Sequence, residues 1–377
     1  MVKRRLLIVT NVDWFFLSHR LPVALGALSR GYEVHVAASL TGPIERLESY
    51  GFIVHSIEMH RSASGLLSST RLFFDFLHLF RSLKPDVLHL VTIKPILVGG
   101  LAARWAGVGG VVYAISGLGH VFVAQGVMGS LRRAAVRAWY RLVLGARNMR
   151  VIFQNQDDRR ELQAVAPLQP HEVVMIPGSG VDLSLYANRP LPPSVPMVLM
   201  AARLLATKGV REFVQAAELL HRAGVQARFC LVGDTDPANP ASITEHEVAH
   251  WKQAGVVEVL GYRDDIAALM AQAHVVVLPS YREGFPKVLI EAAACGRAIV
   301  TTDVPGCRDA VLPGSTGLLV PPRNAEALAQ AIRRLVDDPD ACSQMGQAGR
   351  LHAEKTYDIT AVVATHLRVY QELVEAA

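Results

Sequence analysis

Short apolar runs alternate with helical patterns along the first half of the chain. The runs lie at residues 6–9, 33–37, 87–90, 111–115 and 151–153. Apolar positions spaced three and four residues apart predict helices near 19–30, 68–83, 96–106 and 131–146. Runs that are apolar throughout are typical of strands covered on both faces. Their alternation with helices predicts a parallel sheet between two helical layers.

A second series of the same kind follows residues 189–196, a proline-rich segment that is typical of a stiff linker. Its apolar runs lie at 197–201, 227–232, 257–260, 275–278, 298–301 and 317–320. The pattern therefore predicts an α/β chain with two Rossmann-like domains, 1–190 and 191–358, and a final helical stretch at 359–377. In such domains ligands bind outside the carboxyl ends of the strands.

Composition agrees with a two-domain globular protein. At 377 residues the chain exceeds the usual size of a single core, and its 51% apolar and 19% charged residues exclude a disordered chain. Four cysteines without a C-x-x-C pair favour reduced thiols in the cytosol over disulfides or structural zinc. Asn11 and Asp13 interrupt the first apolar run, which favours a strand over a signal peptide. No apolar stretch reaches the length of about 20 residues that predicts a membrane span.

Positive charge is concentrated in the first half of the chain. Residues 1–190 contain 21 Lys and Arg against 12 Asp and Glu, a net charge of +9, and the remainder carries −4. Arg133, Arg137 and Arg141 recur every four residues beside an apolar stripe that includes Trp139, which predicts an amphipathic helix. This helix either lies on an anionic bilayer or packs with its basic face in solvent. Nucleic acid would be a third partner, but no recognition motif accompanies the basic residues.

Two glutamates frame the most informative segment, Glu283 to Glu291, which follows the apolar run 275–278. The pattern predicts a strand, a Gly/Pro turn and a helix that begins near Pro286. The N–H groups at a helix N-terminus attract anions, so this position predicts a phosphate site. Carboxylates beside it would accept hydrogen bonds from hydroxyl groups, a sugar's at Glu283 and a ribose's at Glu291. Together these features indicate a sugar nucleotide as ligand.

The spacing of Glu283 and Glu291 resembles the E-x7-E motif of retaining glycosyltransferases of family 4, which have the GT-B architecture of two Rossmann-like domains. Other segments match that family in order and spacing: 176–182, 201–209 with Arg203 and Lys208, 260–265 and 303–309. Residues 16–22, 116–120 and 231–243 are similar to the undecaprenyl-diphosphate-sugar glycosyltransferases within the family. The family's glycine pair after the first strand is absent, which puts the acceptor-side residues in question.

The resemblance implies a retaining, metal-independent hexosyltransferase without a cofactor, whose last helix crosses back to the first domain. It assigns the donor diphosphate to Arg203 and Lys208, and the acceptor diphosphate to His19 and Arg20. The donor sugar would meet Glu283 and, from the first domain, His120. The remaining donor-binding positions are Tyr262, Arg263, Gly284, Phe285, Pro286, Val288 and Glu291.

The same resemblance implies a UDP-linked HexNAc or hexose donor and a polyprenyl-diphosphate-linked saccharide acceptor. Such transfers assemble bacterial surface polysaccharides, O-antigen among them, or the glycans of glycoproteins. The enzyme is then expected in the cytoplasm, bound peripherally to the anionic inner leaflet of the cytoplasmic membrane through Arg133, Arg137 and Arg141. No nucleic-acid partner is expected.

Two other functions are open on the sequence alone. A GT-B epimerase or hydrolase would use the same nucleotide sugar without a lipid acceptor. A zinc hydrolase would use His246 and His250, which match H-E-x-x-H, although Gln253 replaces the glycine of the extended motif. Asp234 and Asp236 resemble the D-x-D of metal-dependent glycosyltransferases of another architecture. We interpret that match as coincidence, because the segment belongs to the second Rossmann-like domain.

Overall fold

The computed structural model describes residues 3–59, 66–118, 136, 138–237 and 239–376. The chain forms two compact units. Unit 1 consists of Met1–Ser179 and Thr360–Ala377, and unit 2 consists of Gly180–Ile359. The proline-rich segment 189–196 therefore lies inside unit 2, and the C-terminal helix belongs to unit 1.

Unit 1 is built on a parallel sheet of seven strands in the order β3-β2-β1-β4-β5-β6-β7. The strands are β1 Arg5–Val12, β2 Glu33–Ser39, β3 Ile53–Ser56, β4 Val87–Val91, β5 Gly110–Ile115, β6 Met149–Phe153 and β7 Val173–Met175. All five predicted apolar runs are strands. The apolar pattern does not predict β3 and β7, which lie at the two edges of the sheet and contain no fully buried residue.

The helices described in unit 1 connect these parallel strands. They are α1 Asp13–His19, α2 Leu21–Ser29, α3 Glu45–Glu48, α4 Leu66–Leu83, a π-helical turn Pro95–Gly99, α5 Gly100–Ala106 and α6 Gln156–Gln163. The helix predicted near 19–30 is α2, Leu21–Ser29, and a further helix that was not predicted, α1, precedes it and ends at His19, next to Arg20. Pro22 explains the break, because a proline fits the first turn of a helix but lacks the N–H that a continuous helix needs at this position.

Unit 2 contains a second parallel sheet, of six strands in the order β10-β9-β8-β11-β12-β13. The strands are β8 Met197–Ala201, β9 Arg228–Val232, β10 Glu258–Gly261, β11 Val275–Leu278, β12 Ala298–Thr302 and β13 Gly317–Val320. The helices are α7 Val210–Arg222, α8 Glu245–Ala254, α9 Ile266–Gln272, α10 Lys287–Ala294, α11 Ala325–Asp337 and α12 Pro339–Thr356. All six predicted strands are confirmed. Among the helices of the described ranges, none is both long and apolar enough to span a bilayer.

Alternate residues of β1 pack into two hydrophobic cores on opposite faces of the unit 1 sheet. Leu7 belongs to one core and Leu6 to the other, as the twofold period of a strand requires. The core of Leu6 also contains Tyr370 and Leu373 of the C-terminal helix α13, Ile359–Glu375. The last helix therefore completes the core of the unit in which the chain begins.

This packing predicts that α13 stabilises unit 1 selectively. Leu373 is fully buried, so Leu373→Ala should create a cavity and lower the free energy of unfolding of unit 1 by about 2–5 kcal/mol. Hydrogen exchange read by mass spectrometry would measure the change separately in peptides of β1 and of β8. Leu351→Ala, at an exposed position of α12, is the matched control and should change the free energy by less than about 0.5 kcal/mol. Equal losses in both variants would contradict the role given to α13.

Candidate active site

All strands of the unit 2 sheet run in one direction, so the loops that follow them share its carboxyl edge. Arg203 follows β8, Asp234 follows β9 and Tyr262 follows β10. Glu283 follows β11, and Gly306 follows β12. The topology thus brings residues that are far apart in the sequence to one edge of one sheet, where an α/β domain binds ligands.

The carboxylate of Glu283 joins two of these loops. Lys208 Nζ lies 2.5 Å from Glu283 Oε1, and Ser280 Oγ donates to the same oxygen at 2.7 Å. The side chains of Lys208 and Glu283 are 22% and 12% exposed, so the ion pair is largely withdrawn from water but is still accessible. Both hydrogen bonds are made to Oε1, so Oε2 takes part in neither of them. The pair therefore positions a cation and a carboxylate side by side at the edge of the sheet.

Two glycines allow the loops to approach each other at backbone distance. Gly209 has φ +74°, and a Cβ there would lie 2.1 Å from the carbonyl oxygen of Pro279. Gly306 has φ +81°, and a Cβ there would lie 2.5 Å from the carbonyl oxygen of Glu283. The N–H of Glu283 donates to Pro305 O at 3.1 Å. Only glycine fits at both positions, since both the space and the left-handed backbone exclude a side chain.

Arg203 and the two aspartates of the D-x-D match form a local network. Arg203 Nη1 donates to Asp236 Oδ2 at 2.9 Å. Asp234 Oδ1 instead accepts from the N–H of Tyr262 at 3.1 Å, which ties the loop after β9 to the loop after β10. The two carboxylates thus have different protein partners, and the arginine predicted to hold a diphosphate is part-exposed beside them.

The loop after β10 presents Tyr262 and Arg263 to solvent. The Tyr262 side chain is 75% exposed, which leaves a face of its ring free of protein contacts. Arg263 makes two hydrogen bonds to Asp265, at 2.8 and 2.6 Å. These bonds raise the pKa of Arg263 and lower that of Asp265, so both groups are ionised at neutral pH. The nucleotide-base role of these two residues stays a prediction.

Helix α10 begins one residue after the predicted start, at Lys287, with Pro286 as its N-cap residue. Gly284, Phe285 and Pro286 are buried in the loop that leads to it. The Phe285 ring packs edge-on against Tyr357, with 5.7 Å between ring centroids. Val288 is half-buried and packs against the core of unit 2. These contacts fix the direction in which the first N–H groups of α10 point.

Glu291, on α10, is buried and hydrogen-bonded within the protein. Tyr186 donates its hydroxyl to Glu291 Oε1 at 2.7 Å, and Lys287 Nζ lies 3.3 Å from the same oxygen. Burial raises the pKa of the Glu291 carboxyl. Sequence reasoning missed Tyr186, because no motif links two residues that are 105 positions apart. Ser280 was also missed, although a serine directly after a buried strand is a recognisable signal.

The H-E-x-x-H match has a structural explanation. His246 and His250 are exposed on α8, and Glu247 closes a capping box with Thr244 at the start of that helix. Glu247 also accepts two hydrogen bonds from Arg211, at 2.7 and 3.3 Å, which are the main cause of its low pKa of about 2. Within the described ranges, no three His, Cys, Asp or Glu residues are grouped closely enough to hold a metal ion.

The predicted acceptor residues His19 and Arg20 lie where α1 meets α2 in unit 1. Arg20 is 2% exposed, and its guanidinium donates to the carbonyl oxygen of His19 at 2.9 Å. Burial lowers the pKa of Arg20 to about 10, an effect that Tyr370 partly offsets. The ring of His19 stacks on Phe15 at 4.2 Å. Arg20 therefore lies in the interior of unit 1, and acceptor binding by either residue stays a prediction.

Four basic or histidine positions of unit 1 complete the set of predicted site residues. His120, Arg133 and Arg137 lie outside the described residues. Arg141 is described and is exposed at the end of a helical stretch that includes residues 138–143.

Two families of known proteins match this chain. The family described as "Glycosyl transferase 4-like" matches residues 5–155, and the family described as "Glycosyl transferases group 1" matches residues 195–338. The first match lies in unit 1 and the second in unit 2, and together they span more than half of the chain.

Individual relatives extend over nearly the whole chain. An N,N'-diacetylbacillosaminyl-diphospho-undecaprenol alpha-1,3-N-acetylgalactosaminyltransferase of Campylobacter jejuni is 28% identical over 96% of this chain and 98% of its own length. A sucrose-phosphate synthase of Thermosynechococcus elongatus has a similar structure, with a TM-score of 0.80 and 21% identity over 100% of both chains. HepE of Anabaena, solved in complex with UDP-glucose, gives a TM-score of 0.74 at 20% identity over 97% of this chain and 99% of its own.

These likenesses confirm the GT-B fold that the sequence resemblance implied, with two Rossmann-like parallel-sheet domains. The order of the two matched families along the chain is also the order of the two units. The chain thus belongs to the family 4 type of GT-B glycosyltransferases, with a glycosyl transferase 4-like domain followed by a glycosyl transferases group 1 domain.

Proposed function

We propose that this glycosyltransferase moves a HexNAc or hexose, with retention, from a UDP-linked donor to a polyprenyl-diphosphate-linked saccharide. The observation that carries the proposal is the grouping of Arg203, Lys208 and Glu283 at the carboxyl edge of the unit 2 sheet. The Campylobacter jejuni relative, named for its action on a diphospho-undecaprenol, supports the lipid-linked acceptor. The product would belong to a bacterial surface polysaccharide, such as O-antigen, or to a glycoprotein glycan.

The donor diphosphate would be held by cations and by backbone N–H groups. Arg203 and Lys208 supply positive charge where negative charge grows on the departing nucleotide. The N-terminus of α10 adds N–H donors and the positive end of the helix dipole. In the free protein Lys208 forms an ion pair with Glu283. A bound diphosphate would therefore contact a lysine whose ammonium group Glu283 already holds in position.

Glu283 would orient the donor sugar rather than attack it. Its Oε1 accepts from Lys208 and Ser280, which fixes the carboxylate so that Oε2 is free of those two bonds. A fixed carboxylate accepts hydrogen bonds from two neighbouring sugar hydroxyls well. His120, from the first domain, would meet the same sugar. Tyr262 and Arg263 would hold the base, and Gly284, Phe285, Pro286 and Val288 would line the sugar and phosphate positions.

Retention without a protein nucleophile requires the acceptor hydroxyl to attack the sugar on the face that the diphosphate leaves. The bond between the anomeric carbon and the diphosphate oxygen breaks, and the bond to the acceptor oxygen forms. The hydroxyl proton passes to the departing phosphate oxygen. In this proposal neither a protein nucleophile nor a metal takes part in the step, and the charge that grows on the diphosphate is stabilised by Arg203, Lys208 and the N-terminus of α10. Asp234 and Asp236 would then keep their bonds to Tyr262 and Arg203.

The glycine at position 306 gives a sharp test of the donor loop. Gly306→Ala should displace Glu283 and Gly284, because its Cβ would collide with backbone oxygens of both. We expect UDP-sugar affinity, measured by calorimetry, to fall at least about tenfold. Gly314→Ala is the matched control, since Gly314 has a similar φ of +75° but has open space around its Cβ. Equal affinity in the two variants would argue against a donor site at this loop.

The function itself is tested by transfer to a polyprenyl-diphosphate saccharide with a panel of UDP- and GDP-sugars. We expect turnover with a UDP-sugar, retention of anomeric configuration in the product by NMR, and activity that survives excess EDTA. Lys208→Ala and Arg203→Ala should lower turnover by about a hundredfold, in the range found for single groups that stabilise developing charge. Epimerised or hydrolysed donor without acceptor would instead identify an epimerase or hydrolase, and loss of activity in EDTA would reject metal independence.

An exposed aromatic face on unit 1 supports a membrane-bound acceptor. We define this aromatic face by Phe74, Trp105, Trp139 and Leu142, each of which is at least 42% exposed. Phe74 and Trp105 both pack edge-on against Phe73, with 5.4 and 5.8 Å between centroids, which joins α4 to α5. Large apolar side chains grouped at the surface indicate a protein or membrane interaction site, whereas isolated ones do not.

Hydrogen bonds from side chains to backbone carbonyls fix the helical stretch that carries Trp139 and Leu142. Trp139 Nε1 donates to Leu97 O at 2.9 Å, and Arg104 donates to Leu142 O. These bonds attach the helical stretch 138–143 to the π-helical turn and to α5. The four side chains therefore belong to three neighbouring elements of one unit.

The charge around the aromatic face favours an anionic bilayer as its partner. The sequence has no Asp or Glu between Asp86 and Asp157, a stretch that contains Arg104 and Arg141. Both arginines are exposed. Each basic residue close to an anionic leaflet contributes about 1 kcal/mol, and aromatic residues favour the interface. We therefore infer that unit 1 docks on the inner leaflet of the cytoplasmic membrane, with Arg141 near the aromatic face and with Arg133 and Arg137 as further membrane-binding residues predicted from the sequence.

Vesicle binding tests this docking surface. The wild-type protein should sediment with phosphatidylglycerol vesicles but not with phosphatidylcholine vesicles, and Phe74→Ser/Trp105→Ser should bind at least about tenfold more weakly. Leu351→Ser, an exposed leucine of unit 2, is the matched control and should bind as the wild type does. Undiminished binding of the double variant would reject the surface. A second result would also reject it: if the wild-type protein is a dimer and the double substitution dissociates it, the aromatic face contacts a second copy of the chain and not the membrane.

A further inference from the structure

The two glutamates of the E-x7-E segment are held by the protein in the same way. Glu283 Oε1 contacts the ammonium group of a lysine and the hydroxyl group of a serine, as described above. Glu291 Oε1 accepts from the Tyr186 hydroxyl at 2.7 Å and lies 3.3 Å from Lys287 Nζ. In both residues one oxygen therefore meets an ammonium group and a hydroxyl group, while the other oxygen, Oε2, takes part in none of these contacts.

The Tyr186 hydroxyl is held in place by the segment that carries it. The side chain belongs to the hydrophobic core of unit 2 and is 9% exposed. The N–H of Tyr186 donates to Asp182 O at 3.0 Å, which closes a turn. Arg350 Nη1 donates to the carbonyl oxygens of Tyr186 and of Ala294, the last residue of α10, at 2.9 and 2.6 Å. One guanidinium thus ties the backbone of the tyrosine to the helix that carries Glu291.

The two partners of Glu291 determine which of its oxygens can meet a ligand. Burial raises the pKa of Tyr186, so its hydroxyl is protonated and donates. A lysine ammonium group has donors only. Oε1 therefore faces two donors, and a proton that Glu291 binds must be on Oε2. Towards a ligand hydroxyl, Oε2 accepts a hydrogen bond when the carboxyl is ionised, and it is a weaker acceptor when the carboxyl is protonated.

The Tyr186 hydroxyl also acts on the charge of Glu291. Burial raises the pKa of Glu291, whereas Lys287 and the hydrogen bond from Tyr186 lower it. The other ionisable groups close to Glu291 are Cys295, directly after α10, and Arg350. Burial raises the pKa of Cys295 to about 11, so the thiol is neutral, and the arginine carries a positive charge. Removal of the tyrosine hydroxyl should therefore raise the pKa of Glu291 further.

We propose that Tyr186 determines the selectivity of the donor site for ribose over deoxyribose. Its hydroxyl holds Glu291 so that Oε2 meets a ribose hydroxyl of the nucleoside diphosphate. Tyr186 acts through Glu291 and is therefore a positioning residue. The proposal rests on the proposed function in one respect, the ribose contact of Glu291, and goes beyond it because it assigns that contact's geometry to a residue outside the motif.

Nucleotide binding tests the proposal without any transfer reaction. The probes are UDP and GDP, each with its 2′-deoxy and 3′-deoxy analogues, titrated by calorimetry. The wild-type protein should bind one of the ribonucleotides at least about tenfold more tightly than one of its deoxy analogues, the effect of a hydrogen bond to a charged group. In Tyr186→Phe this ratio should fall to about threefold or less, because the carboxylate is no longer held through Oε1.

Tyr113→Phe is the matched control. Tyr113 is also buried, and its hydroxyl donates to Val143 O at 3.2 Å, but it lies in unit 1. The same change of residue type should leave the ribose selectivity at the wild-type value. Ser280→Ala removes the corresponding hydroxyl at Glu283 and should also leave the ribose selectivity unchanged while it lowers turnover. The two hydroxyls should therefore affect separate parts of the donor.

The pH dependence distinguishes positioning from a general loss of stability. A nucleotide and its deoxy analogues carry the same base and diphosphate, so the ratio of their affinities cancels the titration of those groups. The wild-type ratio should fall as the pH decreases through the pKa of Glu291, because protonation weakens the acceptor. In Tyr186→Phe this pKa is higher, so the fall should begin at a higher pH. Carboxyl ¹³C NMR of the free protein should show the same upward shift of the Glu291 pKa.

Three results would overturn the proposal. They are equal affinities for the ribose and deoxyribose forms in the wild type, the same ratio in Tyr186→Phe and the wild type, and a Glu291 pKa that the substitution does not raise. Binding of neither UDP nor GDP would overturn both this proposal and the proposed donor.

Other failures of the proposed function give different patterns. If the base is guanine, GDP and its deoxy analogues show the expected ratios in place of UDP. If the acceptor is not polyprenyl-linked, the ratios are as expected while no lipid-linked saccharide is extended. If only the role of Tyr186 is wrong, Tyr186→Phe extends the lipid-linked acceptor and keeps the wild-type selectivity for ribose.

Discussion

One carboxylate oxygen, Glu283 Oε1, connects the two loops that form the candidate donor site. It accepts from Lys208, which follows β8, and from Ser280, which follows β11. Removal of either charged partner would leave the other part-buried and uncompensated, which costs more than the intact pair contributes. The close backbone contacts at Gly209 and Gly306 belong to the same arrangement. Gly209, next to Lys208, lies against Pro279, and Gly306 lies against Glu283, so each contact holds a loop at one end of the ion pair. Only with this arrangement do a cation, a carboxylate and the start of α10 occupy one edge of the sheet.

Apolar periodicity predicted the fold well because most strands are buried on both faces. All six strands of unit 2 follow from it, including the edge strand β10, which has no fully buried residue. The two missed strands of unit 1, β3 and β7, are edge strands of four and three residues. Site residues that follow a strand and match a motif, such as Lys208 and Glu283, could be found from the sequence. Partners supplied by the tertiary structure could not: Tyr186 meets Glu291 only because the chain folds back.

The partners of a residue decide its role more than its type does. The resemblance assigns Arg20 to the acceptor diphosphate, and the structure shows its guanidinium buried beside the C-terminal helix, so acceptor binding by Arg20 stays a prediction. Two short motifs are matched by residues that have structural roles. Glu247 of the H-E-x-x-H match caps α8 and pairs with Arg211, and Asp234 of the D-x-D match bonds the N–H of Tyr262. A short motif specifies only the types of a few residues and the spacing between them. The chemical role of these residues depends on the side chains that the fold brings next to them, and those side chains come from other parts of the sequence.

The two units differ in the order in which their parts are synthesised. Unit 2 is one continuous stretch, so it is complete when Ile359 has left the ribosome. The first part of unit 1 emerges before unit 2, but it lacks Tyr370 and Leu373 of its core until the residues after Ile359 have been made. At roughly 5–20 residues per second, this delay lasts on the order of ten seconds or more. During that time the sheet of unit 1 exposes the apolar surface that α13 later covers. Unit 1 is therefore exposed to aggregation while unit 2 is synthesised, although most of unit 1 precedes unit 2 in the chain.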